Sequence, residues 1–296
     1  MGIDVSIIIP NWNGGDVLTE CLKSILVHTQ DIDFELIIVD NGSTDSSPQF
    51  IRQLAESDDR VKPIFNRENL FFARACNQGY EISTGRYVVV ANNDIVLQDD
   101  AVKALVEYAD AHPEVGAVTP KFCDRAGIPQ EFFRRLPNAL FVIAHYHRLG
   151  RAVDRFLLGR RIQDAYFLRD KSFDRVEVVD QSGASFSLLR RRVIDAIGLL
   201  FDERFPLLFN DVDLFQRIKE AGFASHVLPN TNVIHLEGVS SQKLDPVIYD
   251  DLLFRGMFDY FKTHHPVQYP LLCLVWPWRW FRARSGNGTG TGVLST

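Results

Sequence analysis

Apolar and polar residues alternate in blocks along the first 120 positions. Val5-Ser6-Ile7-Ile8-Ile9 is a β-branched run closed by Pro10, the pattern of a strand buried on both faces. Polar, turn-rich Asn11-Trp12-Asn13-Gly14-Gly15 follows, and Val17, Leu18, Cys21, Leu22, Ile25 and Leu26 then recur at helical spacing. Phe34 to Val39 predicts a second strand ending at Asp40, and Ser47-Pro48 a helix start with proline in the first turn. A third strand is expected over Val61 to Phe65, a helix over Phe71 to Ile82, and a fourth strand over Tyr87 to Ala91. Asp99 or Asp100 caps another helix, and Val115 to Val118 continues the series as a strand.

Strand–helix alternation of this kind predicts a parallel sheet with helices on both faces. Ligands of such sheets sit outside the carboxyl ends of the strands. The polar residues there are Asn11 to Asn13, Asp40 to Asp45 and Asn92 to Asp94. From Lys121 to Asp180 the periodicity blurs into arginines, aromatics and His145-Tyr146-His147, an insertion or a helical excursion on the surface. Regularity returns at Gly183-Ala184-Ser185-Phe186-Ser187-Leu188-Leu189, and a helix is expected over Asp211 to Ala221. There is no internal repeat, and Ser285 to Thr296 has the composition of a disordered tail.

Composition narrows the class. With 296 residues, 46% of them hydrophobic, the chain can build one large α/β domain. A formal net charge of -6 argues against general nucleic-acid binding. Cys21, Cys76, Cys123 and Cys273 are scattered without a CxxC pair, which fits small buried side chains in a reducing compartment. Val5 to Pro10 is too short for a leader, and Met1 to Ser6 reads better as entry to a strand than as a myristoylation signal. No run of 18 apolar residues predicts a membrane span. The expected location is the cytoplasm.

Two clusters carry chemistry. Asn92-Asn93-Asp94 follows a buried strand, where a carboxylate is placed to hold Mg²⁺ or Mn²⁺ shared with substrate phosphates, although the same residues alone also read as a turn. In Val39-Asp40-Asn41-Gly42-Ser43-Thr44-Asp45, Asp40 can accept hydrogen bonds from a base or ribose and Gly42 permits a tight turn. Alone, this is also a plain strand-to-helix loop.

Taken together with Asn66 to Gly79, Gly85-Arg86-Tyr87, Gly183-Ala184, Phe201-Asp202-Glu203, Asn210-Asp211-Val212-Asp213-Leu214 and His235-Leu236-Glu237-Gly238-Val239-Ser240-Ser241, the chain resembles family 2 of the inverting glycosyltransferases, in its rhamnosyltransferase-like branch. The motifs occur in family order over positions 5 to 241. The resemblance implies a GT-A fold: an α/β, Rossmann-like, mostly parallel central sheet flanked by helices, with a C-terminal helical and aromatic tail. It divides the chain into a catalytic domain over 1–245, with 121–180 as an acceptor-side insertion, a helical segment over 246–284 and a tail over 285–296.

The resemblance also assigns roles. Asp94 is similar to the last acid of the family's Asp-x-Asp metal motif, with Asn92 in the first acid's place and His235 completing the Mn²⁺ or Mg²⁺ site. Asp40 reads the base, with Pro10, Asn11, Asn13, Asn41, Arg74, Asn77 and Asn93 on the nucleotide side. Asp211 resembles the catalytic base, and Gly183, Ala184 and Asn210 line the sugar or acceptor. Two positions depart from the family: Asn210 where an acid is usual before Asp211, and Phe71 where glycine is usual before Phe-Ala.

These residue types suit inversion, which needs one base for the acceptor hydroxyl and one cation for the leaving diphosphate. The implied donor is a nucleotide sugar, dTDP-rhamnose first and a UDP-sugar next, and the acceptor a glycan or polyprenyl-linked glycan of cell-wall or surface polysaccharide synthesis. Tyr269 to Arg284 gathers three of the four tryptophans with arginines, a membrane-interface composition that predicts docking on the cytoplasmic leaflet. The same segment also reads as packing on the domain or on a second subunit of a homodimer. The asparagines at 92 and 210 leave open a non-catalytic nucleotide-sugar binder. A nucleotidyltransferase lacks its basic Gly-rich loop after the first strand, and a dehydrogenase its GxGxxG.

Overall fold

A computed structural model describes residues 2–236 and 245–277. The elements run β1 (Val5–Asn11), α1 (Gly15–His28), β2 (Phe34–Asp40), α2 (Ser47–Ser57), β3 (Val61–Phe65), α3 (Phe71–Ile82), β4 (Tyr87–Ala91), β5 (Ile95–Leu97), α4 (Ala101–Ala111) and β6 (Val115–Cys123). There follow α5 (Ala139–Tyr146), α6 (Arg148–Phe156), α7 (Arg161–Tyr166), β7 (Glu177–Val179), β8 (Phe186–Arg190), α8 (Arg191–Ile197), α9 (Asn210–Glu220), β9 (Ala224–His235), α10 (Pro246–His264) and α11 (Tyr269–Val275). The chain divides into two compact units, 1–136 with 164–244 and 137–163 with 245–296.

The first unit holds the sheet, whose order is β3-β2-β1-β4-β8-β6-β9-β5 with β7 paired to β9. Its uninterrupted apolar strands are explained by two cores. Val5, Ile7 and Ile9 of β1 face α1 and α4 through Leu18, Leu22, Ile25, Val102 and Leu105. Ile8, Ile37 and Val90 face the other way, into Ala73 and Cys76 of α3 and Leu214 and Ile218 of α9. Each such side chain contributes roughly 1.5–3 kcal/mol when fully buried. Cys21, Cys76 and Cys123 are buried among them, whereas Cys273 is only partly covered.

The half of the sheet built from β1 to β4 is parallel, as the alternation predicts. The other half is mixed: β8 runs antiparallel to β4 and β6, and β5 and β7 run antiparallel to β9. β6 also extends past Val118 to Cys123 and pairs in parallel with β9, slipping register at Pro120–Lys121. The blurred stretch from 121 to 180 holds the end of β6, three short helices and β7. Asp100, not Asp99, caps α4, accepting from the Lys103 amide at 3.2 Å.

In the second unit α5, α6, α10 and α11 are helical. Asn138 caps α5, and the Ala139 amide donates to Gln268 Oε1 at 2.7 Å. Trp276 meets His147 and Phe254 edge-on, each at 5.8 Å between ring centres. Among the described residues no helix is long and apolar enough to cross a membrane. The expected disorder of Ser285 to Thr296, the tryptophans and arginines beyond position 277 and the motif residues Glu237 to Ser241 lie outside the described residues.

Candidate active site

Strand register builds the site. Parallel pairing sets Asn11 opposite Asp40 at the carboxyl ends of β1 and β2. The Asn11 side-chain amide donates to Asp40 Oδ1 at 2.8 Å and to Ser43 Oγ at 3.2 Å. Asp40 also accepts from the Ser43 amide (3.0 Å) and hydroxyl (2.6 Å), so its carboxylate is fixed although buried. Asn11 Oδ1 in turn accepts from Asn93 Nδ2 at 2.8 Å. One buried polar chain therefore runs from the β2 end to the turn after β4. Gly14 is what lets it close, since a side-chain carbon there would lie 2.3 Å from Asn11 Oδ1.

The next link comes from the antiparallel half. Ile95 pairs with His235, and the Leu236 amide donates to the Asp94 carbonyl at 3.0 Å. Asp94 Oδ1 consequently lies 3.2 Å from His235 Nε2, and Asn92 Nδ2 lies 3.4 Å from the same nitrogen. Both Asp94 and His235 are buried, and neither Asp94 Oδ1 nor His235 Nδ1 has a hydrogen bond among the described residues. A carboxylate oxygen and an imidazole nitrogen this close need either an N–H at Nε2 that donates to the carboxylate or a metal ion between them. Among the described residues no group of three or more His, Cys, Asp or Glu gathers around a metal position. One carboxylate and one imidazole suit a cation that draws its other ligands from substrate phosphates and water, whereas Asn92 turns its amide nitrogen to that position.

Pairing of Ala91 with Phe186 brings the Gly183 to Ser185 turn beside Asn92, whose amide nitrogens donate to the Ser185 carbonyl (2.8 Å) and hydroxyl (3.2 Å). Gly183 has φ +69°, and a side-chain carbon on it would stand 3.9 Å from Asp211 Oδ2 and 3.6 Å from the Phe132 ring. Phe132 reaches back to His235 edge-on at 4.8 Å. Hydrogen bonds thus run from Asp40 through Asn11 to Asn93, whose chain neighbour Asp94 meets His235, while Phe132, packed on His235, and Asp211 flank the same Gly183.

Asp211 lies in the first turn of α9, where the helix dipole favours a carboxylate. Oδ1 accepts from the Val212 amide at 2.8 Å and Oδ2 from Gln181 Nε2 at 3.1 Å. Asn210, the first residue of α9, is buried and accepts from the Asp211 amide at 2.6 Å. Asp213 has a different employment: it is buried and ion-paired to Arg217 at 2.8 Å, one helical turn on. Gln181 and Phe132 escaped the reading of the sequence because both fall in the aperiodic stretch or at its edge. The polar pair Gln181-Ser182 just before Gly183 was the available signal.

The remaining nucleotide-side residues separate. Asn13, at φ +51°, donates its amide to Ser43 Oγ (2.8 Å) and accepts from the Thr44 amide (2.8 Å), beside the Asp40 loop. Pro10 is buried in β1 next to Asn11. Asn41 accepts from Asn66 (2.9 Å) and donates to the Phe71 carbonyl (3.2 Å), tying the loop to the start of α3. Arg74 is exposed on α3. Asn77 is not gathered with the others: both ends of its amide bond the Phe201 backbone, at 2.9 and 3.0 Å. Ala184 is buried behind Gly183.

The family model described as Glycosyl transferase family 2 matches residues 6–195. An uncharacterized protein of Sinorhizobium fredii is 30% identical over 260 residues, 87% of this chain but 27% of that protein. The glycosyltransferase GlyG of Streptococcus pneumoniae is 30% identical over 38% of each chain, so this chain spans well under half the length of these relatives. The N-acetylglucosaminyl-diphospho-decaprenol L-rhamnosyltransferase of Mycobacterium tuberculosis is 26% identical over 86% of this chain and 82% of its own. Among solved structures, the Pyrobaculum calidifontis mannosyltransferase in complex with GDP-Man and Mn²⁺ superposes with TM-score 0.57 at 18% identity, over 96% of this chain and 76% of that one. At that identity the likeness is one of fold, the GT-A arrangement.

Proposed function

Because the chain belongs to glycosyl transferase family 2, we propose that it is an inverting glycosyltransferase that moves a sugar from a nucleotide diphosphate donor to an acceptor hydroxyl. The observation that carries this reading is the hydrogen-bonded set from Asp40 to Asn93, with Asp94 against His235 beside it and Asp211 across Gly183 from Phe132. Asp40 and Asn11 take the base and ribose, with Pro10, Asn13 and Asn41 shaping the loop and Arg74 reaching toward a phosphate. Asp94 and His235, with Asn92 beside them, would hold Mn²⁺ or Mg²⁺, which would stabilise charge on the leaving diphosphate.

Asp211 is the general base. Val212 N–H and Gln181 fix its carboxylate, leaving lone pairs to accept the acceptor proton as the hydroxyl attacks the anomeric carbon. Gly183, Ala184 and Asn210 border the sugar. The asparagines at 92 and 210 favour a non-catalytic binder only while they have no other use. Here Asn210 binds the Asp211 amide and Asn92 joins His235 to Ser185.

The favoured donor is dTDP-L-rhamnose, supported by the similarity to the mycobacterial rhamnosyltransferase. A UDP-sugar is the second choice. We assign the acceptor, a glycan or polyprenyl-linked glycan, to the side formed by 121–180, within a catalytic domain over 1–245. The segment 269–284 supplies peripheral contact with the inner membrane face, or contact with a second subunit. Donor turnover screened over dTDP-, UDP- and GDP-sugars with Mn²⁺ or Mg²⁺ tests the reading. Asp211→Asn is expected to abolish transfer and keep donor binding, and unchanged turnover would remove Asp211 as the base.

A further inference from the structure

One face of α6 is committed inward within its own unit. Gly150 approaches α5 so closely that a side-chain carbon there would lie 2.2 Å from the Ile143 carbonyl oxygen. Asp154, one turn on, is buried, and its carboxylate accepts from the amides of Ile162 (3.1 Å) and Gln163 (3.4 Å). The rest of the helix is built differently. Leu149, Val153, Phe156 and Leu157 recur at i, i+4, i+7 and i+8, which is one stripe on a 3.6-residue helix. That stripe is in solvent: Leu149 is 68%, Phe156 75% and Leu157 77% exposed.

Arg148, Arg151 and Arg155 fall on the opposite side, and Arg160 and Arg161 follow; all five are exposed. None of them forms an ion pair among the described residues. Asp154, the single acid between 148 and 161, is buried, so the segment presents concentrated positive charge on a chain of formal net charge -6. Leucine and phenylalanine on one side with arginine on the other is the composition of a helix lying in the plane of a bilayer interface.

We infer that α6 docks on an anionic lipid surface, its apolar stripe entering the acyl boundary and its arginines meeting lipid phosphates. Charge and hydrophobicity choose this occupant together. A nucleic acid would answer the arginines and leave the stripe in water. A second copy would cover the stripe and leave the arginines on the far side unanswered. The surface is built from residues other than 269–284, and its test reads lipid binding rather than turnover, so it stands or falls apart from the transferase reading.

The test is co-sedimentation of the full chain with phosphatidylcholine vesicles, with and without about 30% phosphatidylserine. The wild type is expected to partition onto the anionic vesicles and to be released by salt. R148Q/R151Q/R155Q is expected to lose on the order of 100-fold in partitioning, about fivefold per arginine. L149S/F156S/L157S is expected to lose about tenfold or more on the same vesicles. Residues 269–284 are intact in each variant, so these losses map to α6. If the serine variant misfolds, the glutamine variant, whose sites are all exposed, decides alone. Wild-type binding shared by both variants, or no wild-type binding to anionic vesicles, overturns the inference. So does a wild-type dimer in sedimentation velocity that the serine variant turns into monomer.

Discussion

Gly14 and Gly15 are neighbours that resist a methyl group for opposite reasons, and the contrast tests how the site is held. Gly14 has φ -77°, a backbone any residue adopts. Its constraint is space: an added carbon would meet Asn11 Oδ1 at 2.3 Å, Asn93 Nδ2 at 2.8 Å and Leu18 Cβ at 2.9 Å. Asn11 and Asn93 are buried and bonded to each other, and Asn11 is also bonded to Asp40, so neither amide can swing into water. Gly14→Ala strands a buried donor and acceptor, at about 1–3 kcal/mol. It also overpacks the start of α1, at about 1–3 kcal/mol. The expected loss is about 4 kcal/mol.

Gly15 has φ +50° and open space, with only Asp45 Oδ2 at 3.5 Å from an added carbon. Gly15→Ala therefore costs only its left-handed backbone, roughly 1–2 kcal/mol. Urea unfolding of the two variants reads the difference, and calorimetric titration with a nucleoside diphosphate reads its consequence. Gly14→Ala should weaken nucleotide binding by about tenfold or more, as loss of a buried hydrogen bond implies, while Gly15→Ala leaves it nearly unchanged. Equal stability of the two, or a destabilised Gly14→Ala that binds nucleotide normally, would refute the claim that the Asn11–Asn93 bond organises the site.

Phe71 sits at φ +62°, so Phe71→Gly should be about 1 kcal/mol more stable than Phe71→Ala, inverting the usual helix order; thermal melts, shifting about 2–4 °C per kcal/mol, check it. Glu35 is buried, which raises its pKa, but Lys62, the Ser6 and Thr84 hydroxyls and the Thr84 amide outweigh burial and hold it down at about 2. Its folded pKa is depressed, so its contribution, on the order of 2–3 kcal/mol, is present above about pH 4.5 and is lost as pH falls toward 2. Urea midpoints at pH 7 and pH 3 should drop for the wild type and stay flatter for Glu35→Gln. Mn²⁺ with a nucleoside diphosphate should raise the melting temperature of the wild type. Asp94→Asn and His235→Ala should each cut the apparent Mn²⁺ affinity by about tenfold or more.

What was legible follows from where the physics is local. β1, β2 and β4 announce themselves because both faces are buried, leaving unbroken β-branched runs such as Ile7-Ile8-Ile9. The antiparallel half was hidden because Ile95–Leu97 is three residues long and its partner lies about 140 positions away, at 233–235. Periodicity cannot see such a pairing, so the Asp94–His235 neighbourhood came only through family resemblance. Asp211 and Asp213 look alike in sequence, yet Arg217 stands four residues after Asp213, the spacing of a helical ion pair, and that spacing was readable. Gln181 and Phe132 had no periodic frame to place them. Asn77 matched a family position, but its two bonds to the Phe201 backbone depend on a loop over a hundred residues away.

The site's chemistry rests on the register of apolar strands more than on any single polar residue. Asn11 meets Asp40, Asn92 meets Ser185 and Asp94 meets His235 because three pairings end at matched positions. A slip of one residue in any strand would turn its terminal side chain to the opposite face, and the buried isoleucines and valines forbid that slip. The polar set so assembled is rich in asparagine: Asn11, Asn92 and Asn93 separate the carboxylates of Asp40 and Asp94. Neutral amides let the cluster be buried without like-charge repulsion. Among the described residues they also leave Asp94 as the one carboxylate beside His235, too few ligands there to hold a divalent cation tightly alone. On the proposed reading, the donor diphosphate would supply the missing oxygens, so Mn²⁺ affinity should rise when a nucleoside diphosphate is present, and equal affinity with and without it would refute this account of the site.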